Sequence, residues 1–159
     1  IHISINVKSK KILSKKVTDE PVHDSKALPG LVEDITKSNS TTTTAVAVVG
    51  KLFADGAYDG NDIFRCLANN GILPCIKLRK NAKGRKKTNH TLRNLAVISQ
   101  KNDLQKWKDS VSYGKRWIVE TVFSCIKRRF GEYVYSVKFE NMVKEMMFKA
   151  SLYNKILFI

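Results

Sequence analysis

Four side chains with complementary chemistry stand at fixed spacing in the stretch YGKRWIVETVFSCIKRRFGE: Tyr113, Arg116, Glu120 and Lys127, at offsets of zero, three, seven and fourteen. At about 100° per residue these offsets project within a sector of about 60°, so a helix over 113–130 carries them as one stripe. A carboxylate flanked by two permanent bases can hold a metal cation while the bases bind phosphates that the metal also touches. A solvated face with an Arg116–Glu120 pair one turn apart is the bland alternative, and such pairs are common. Trp117 projects some 40° beyond the stripe, where its ring either stacks on an unpaired base or packs beneath a loop. Val119, Val122, Phe123, Ile126 and Phe130 cluster about a quarter-turn away and predict that the helix seats on a sheet with its polar stripe at the edge of the contact.

A second candidate is Asp55 in the run Phe53-Ala54-Asp55-Gly56-Ala57-Tyr58-Asp59, which closes a nearly continuous apolar stretch over 45–54. The carboxyl end of a buried strand is where an open α/β sheet places its site residues. An aspartate that merely starts a turn before Gly56 fits the local sequence equally well.

The elements that must position these residues follow from periodicity. Alternation of Ile1, Ile3, Ile5 and Val7 and a second extended stretch over 12–17 predict a hairpin. Leu28, Leu31, Val32 and Ile35 predict a helix over 25–36, capped by Asp24 or Ser25, with Pro29 in about its first turn. A polar loop over 38–44, a buried strand over 45–54, a helix over 61–69 and a strand over 72–78 imply a parallel crossover. Further helices are expected before Asp109, over 113–130 and over 141–157. Tyr133 and Tyr135, after Gly131, are expected to be packing residues. Between Lys77 and Arg93 lie eight bases and no acid, Lys77, Arg79, Lys80, Lys83, Arg85, Lys86, Lys87 and Arg93, which predicts an exposed basic loop able to track a phosphate backbone.

The 159 residues, 43% hydrophobic and 27% charged, suit one globular domain, 1–159. The net charge of +15 points first to nucleic acid as partner, before an anionic membrane surface or a ribosome-like environment. Without a membrane-spanning run or a secretory leader, the expected location is cytoplasmic. Cys66, Cys75 and Cys125 form no C-x-x-C pair and predict buried thiols; His2, His23 and His90 have no metal-ligand spacing.

The spacing Tyr-x2-Arg-x3-Glu-x6-Lys, with an aspartate, a small residue and an aromatic 65 residues earlier, resembles the DDE-type transposases of insertion sequences. The hairpin, the His23-Asp24-Ser25-Lys26 segment and the tail around Asn154 are similar to that family as well. The resemblance implies an α/β, RNase H-like mixed sheet flanked by helices, and metal-dependent cleavage and strand transfer of an insertion sequence. It implies Mg2+ (or Mn2+) held by Asp55 and Glu120 as second and third members of an Asp-Asp-Glu triad, and DNA, both element ends and target, as partner of a possible homo-oligomer. Arg116, Lys127, Tyr113, Trp117 and the basic loop (Lys80, Lys83, Arg85, Lys86, Lys87) would bind DNA, with Tyr113 supporting a phosphate or orienting Glu120. The first aspartate belongs to a central strand upstream of the hairpin and is absent from this stretch, which makes it the carboxyl-terminal portion of the catalytic domain. Loss of that strand is expected to expose ladder groups on both its neighbours. The rival expectation is a catalytically inactive remnant that only binds nucleic acid, with Asp24 an unfavoured substitute for the absent acid.

Overall fold

A computed structural model describes residues 1–18, 24–40, 49–84 and 91–157. Strands β1 (His2–Ile5) and β2 (Ile12–Lys16) form the expected hairpin, antiparallel with a register shift between Ser4 and Ile5. Its turn is set by the Asn6 side chain, which accepts from Lys8 N and Ser9 N at 2.9 and 3.0 Å, and by Lys10 in the left-handed region at φ 58°. Helix α1 (Asp24–Ser40) buries Leu28, Leu31, Val32 and Ile35. It outruns the expected 25–36 at its carboxyl end, because the polar residues after Thr36 extend a helix already anchored by that apolar face, and Pro29 lies in its second turn.

Strand β3 (Lys51–Ala54), helix α2 (Asn61–Asn69) and strand β4 (Leu73–Ile76) make the expected parallel crossover, with Lys51 opposite Leu73 and Ala54 opposite Ile76. The first half of the predicted strand, 45–48, lies outside the described residues. Ile63, Phe64 and Leu67 of α2 pack with Leu28, Val32, Ala54, Ile72 and Ile76 into the main core. A smaller core joins Ile12, Val122, Ala150 and Tyr153. Helices α3 (Leu92–Asn102), α4 (Leu104–Val111), α5 (Ile118–Phe130) and α6 (Phe139–Ile156) complete an α/β architecture.

Among the described residues the strands form two separate two-stranded sheets, where one mixed sheet was expected. In each sheet a helix closes the outer edge with a side-chain amide. Asn154 of α6 accepts from Ile12 N and donates to Ile12 O, both at 2.8 Å. Gln100 of α3 accepts from Leu78 N at 3.0 Å and donates to Ile76 O at 2.8 Å. Both amides reproduce the donor and acceptor of a neighbouring strand. The other two strands, β1 and β3, line a common cavity of about 310 Å³ together with Leu28 and Leu31 of α1 and Val119 and Phe123 of α5.

Two expectations about the carboxyl-terminal half are corrected. The helix expected over 113–130 opens instead as a 3-10 turn, Tyr113–Trp117, after Ser112 in the left-handed conformation at φ 61°. Tyr133 and Tyr135 do not pack: they are 75% and 79% exposed. Their backbone is nevertheless held. The Glu145 carboxylate accepts from Tyr135 N, Ser136 N and Ser136 Oγ at 2.9–3.2 Å, pairs with Lys149 at 2.9 Å, and Lys149 Nζ donates to Tyr133 O at 2.7 Å. Lys149 above all, and then the Ser136 and Tyr135 donors, hold the Glu145 carboxyl down at about 2. A folded value below the unfolded one means that the clamp stabilises the fold above the usual carboxylate range and loses that contribution as pH falls through about 2. An NMR titration of the Glu145 side-chain carboxyl is expected to show a midpoint near 2, moving up on Lys149→Ala; an ordinary glutamate midpoint in the intact chain would contradict the clamp.

Candidate active site

Asp55 follows the last residue of β3 and does two things at once. Oδ1 caps the 3-10 turn Gly56–Tyr58 by accepting from Ala57 N at 2.9 Å, while Oδ2 faces Arg116 at 3.9 Å. Asp55 therefore both starts a turn and stands at the carboxyl end of a strand. Glu120, in the first turn of α5, meets the same guanidinium at 2.6 Å through Oε1. One cation thus lies between two carboxylates that are 51% and 63% exposed, open to solvent and to a substrate.

Tyr113 fastens the two elements to each other. Its phenol donates to Ala54 O at 2.9 Å, immediately before Asp55, and its ring packs on Trp107 with centroids 5.3 Å apart. The residue is only 8% exposed. Burial, assisted by the Asp55 carboxylate and opposed by Arg116, raises the phenol above its ordinary value, so the hydroxyl stays a neutral donor. The hydroxyl of Tyr113 is thus engaged with backbone.

Lys127 is exposed in the last turn of α5 and lines, with Glu120, Phe123, Ser124, Arg128 and Glu132, an open groove along the helix. Trp117 is 59% exposed, so it is not packed beneath a loop. Lys80 and Lys83 are exposed, whereas Arg85, Lys86 and Lys87, like His23 and His90, lie outside the described residues. Of the expected basic loop, Arg93 is drawn inward, whereas Arg79 is exposed as expected but is tied to backbone and to Asp59. Arg93 pairs with Asp59 at 2.7 Å, with side chains 13% and 2% exposed, and donates to Lys83 O at 3.2 Å; Arg79 Nε donates to Gly56 O at 2.9 Å and Arg79 N to Asp59 Oδ2 at 3.2 Å. Asp59 is the structural residue that periodicity missed. Its position four after Asp55 was the available signal. Cys75 is buried, which raises its thiol above the ordinary value, and all three cysteines are free. No helix among the described residues is long and apolar enough to cross a membrane.

Hard carboxylate oxygens suit Mg2+ or Mn2+, and Mg2+ is commonly held by one or two carboxylates, completed by waters and substrate phosphates. Asp55 and Glu120 fit that demand for one ion. Among the described residues no group of three or more His, Cys, Asp or Glu side chains converges as a metal site, so a second ion needs a further carboxylate. The chain is thus α/β, with a strand-end acid and a helix-borne acid around a shared arginine, beside exposed bases. The family model of the transposase DDE domain matches residues 1–155, and the chain belongs to that family. No solved structure matches the chain.

Asp59→Ala leaves Arg93 buried without its partner and is expected to lower folding stability by about 3 kcal/mol or more. Asp62→Ala, which removes an exposed 4.0 Å pair with Arg65, is expected to change stability by less than about 0.5 kcal/mol. Equal losses in chemical denaturation would contradict the assignment of Asp59 as the buried anchor of the 79–93 segment.

Proposed function

We propose that this chain is the carboxyl-terminal portion of a transposase catalytic domain that cuts DNA and joins strands, with Asp55 and Glu120 as metal ligands and Arg116 and Lys127 on the phosphates. The observation that carries this reading is the convergence of Asp55 and Glu120 on one guanidinium, from elements 65 residues apart, within a member of the transposase DDE family. Bound Mg2+ or Mn2+ supplies Lewis-acid stabilisation of the phosphodiester and lowers the pKa of an attacking hydroxyl. Tyr113 keeps the end of β3 and the start of α5 in register so that the two acids stay together. Arg116 faces both carboxylates, at 3.9 and 2.6 Å, and its guanidinium would also be offered to a substrate phosphate. Lys127 supplies a further phosphate contact along the groove, and Trp117 a ring for a base beside it. Lys80 and Lys83, with Arg85, Lys86 and Lys87, extend the cationic track.

A further strand bearing the family's first aspartate would seat between β1 and β3 in an RNase H-like sheet. Capping of the opposite edges by Asn154 and Gln100, and the cavity bounded by β1 and β3, support that placement. It would bring a third carboxylate to the two already present.

Backbone binding makes affinity for DNA fall steeply with salt, by roughly a thousandfold between 50 and 200 mM if six or more phosphates are engaged. A flat salt response, or dependence on one short sequence, counts against it. In a divalent-ion-dependent nicking and strand-transfer assay on DNA carrying the element's ends, the 159-residue chain alone is expected to cut little or not at all. A form supplied with the upstream strand is expected to cut, to lose activity on Asp55→Ala or Glu120→Ala, and to show weakened substrate engagement on Arg116→Ala or Lys127→Ala. Inactivity of the supplied form, with DNA binding intact, favours the nucleic-acid-binding remnant; full activity of Glu120→Ala sinks the assignment of the acids.

A further inference from the structure

Gly131, at φ 81°, ends α5, and residues 133–137 then run back towards α6 with alternating exposure. Tyr133, Tyr135 and Val137 are 75%, 79% and 88% exposed, while Val134 and Ser136 between them are partly buried. Such alternation places three apolar side chains on one outward face. Water opposes that arrangement, since an aromatic ring gains by burial. Four contacts nevertheless fix the backbone that presents them, three from Tyr135 N and Ser136 N to the Glu145 carboxylate and one from Lys149 to Tyr133 O, and the Ser136 hydroxyl adds a fifth to Glu145. Lys149 also lies 5.6 Å from the Tyr135 ring centroid. A polar clamp that holds aromatic rings in solvent is preorganised for a partner.

We propose that this ledge stacks unpaired bases of a DNA strand as it leaves the candidate active site along α5, an inference that rests on the DNA-cutting reading above. Continuity with the site favours this occupant. The open groove that begins at Glu120 runs past Lys127 and Arg128 to Glu132, the residue before Tyr133. Charge favours it too, because Lys127, Arg128 and Arg129 fill the last turn of α5 and Lys138 follows the ledge. With +15 overall, a second copy of the chain is electrostatically the poorer partner and a polyanion the better one. Aromatic rings accept any base by its π-face, so the ledge adds affinity for single strands without reading sequence.

The test is fluorescence anisotropy of the full chain with a labelled mixed-sequence single strand of about 20 nucleotides and with its duplex, a length that spans the site sizes usual for single-strand binding. Tyr133→Ala/Tyr135→Ala is expected to raise the single-strand Kd about tenfold or more and leave the duplex Kd within about twofold. Tyr133→Phe/Tyr135→Phe is expected to bind like the parent, because the ring remains. Glu145→Gln, which touches no DNA in this scheme, is expected to weaken single-strand binding selectively by loosening the ledge. Equal losses on both DNA forms, or no loss on either, overturn the ledge and leave the DNA-cutting reading standing. Parent protein that binds neither form overturns both. Sedimentation that finds a parent dimer, dissociated by the double alanine variant with single-strand Kd unchanged, shows the ledge to be a self-contact and also overturns the proposal.

Discussion

Like charges must be brought together before any site of this kind exists, and here the Arg116 guanidinium is what permits it. Asp55 ends β3 and Glu120 begins α5, and each faces the same planar cation, at 3.9 and 2.6 Å. Without Arg116 the two carboxylates would repel across whatever distance the backbone allowed. The backbone constraint is the phenol of Tyr113 on Ala54 O, one residue before Asp55. Pairing of charge and pinning of strand to helix are thus carried by two residues three apart, Tyr113 and Arg116. The sheet and helices behind them set where β3 ends and where α5 begins.

A 3-10 start to that helix does not break the stripe. Side chains at i and i+3 eclipse in a 3-10 turn, so Tyr113 and Arg116 remain in one row; Glu120 then follows Arg116 by the four residues that an α-helical turn brings alongside. What the tighter turn changes is depth. Tyr113 dips under the strand end and is buried, whereas Arg116 stays at the surface. The Arg116–Glu120 pair is therefore a local i,i+4 bond whose guanidinium also reaches Asp55.

Local signals were legible where local physics decides. Helix α2 occupies the expected 61–69, because Gly60 and Gly71 bound a short run whose apolar residues fall on one face. The Arg116–Glu120 pair was legible too, because its i,i+4 spacing is local. Long-range partners were not. The basic run from Lys77 to Arg93 looked uniformly solvated because a window contains no acid, yet Asp59, 34 residues before Arg93, draws Arg93 inward and holds Arg79 N. Tyr133 and Tyr135 looked like core because aromatic rings usually are; their exposure is imposed by Glu145 and Lys149, which no periodicity joins to them. Strand edges were equally hidden, since a side-chain amide closes a ladder only when tertiary folding brings Asn154 to Ile12 or Gln100 to Leu78.

These pairings also sort the charge. Asp59 is bound to Arg93, Glu145 to Lys149, Glu33 to Lys37, and Asp55 and Glu120 share Arg116, so much of the acidic complement is locally compensated. The excess of 29 bases over 14 acids is then expressed as exposed bases, Lys80 and Lys83 on one side and the last turn of α5 on the other. Among the described residues Arg116 faces two carboxylates at once, so each acid draws on only part of its charge.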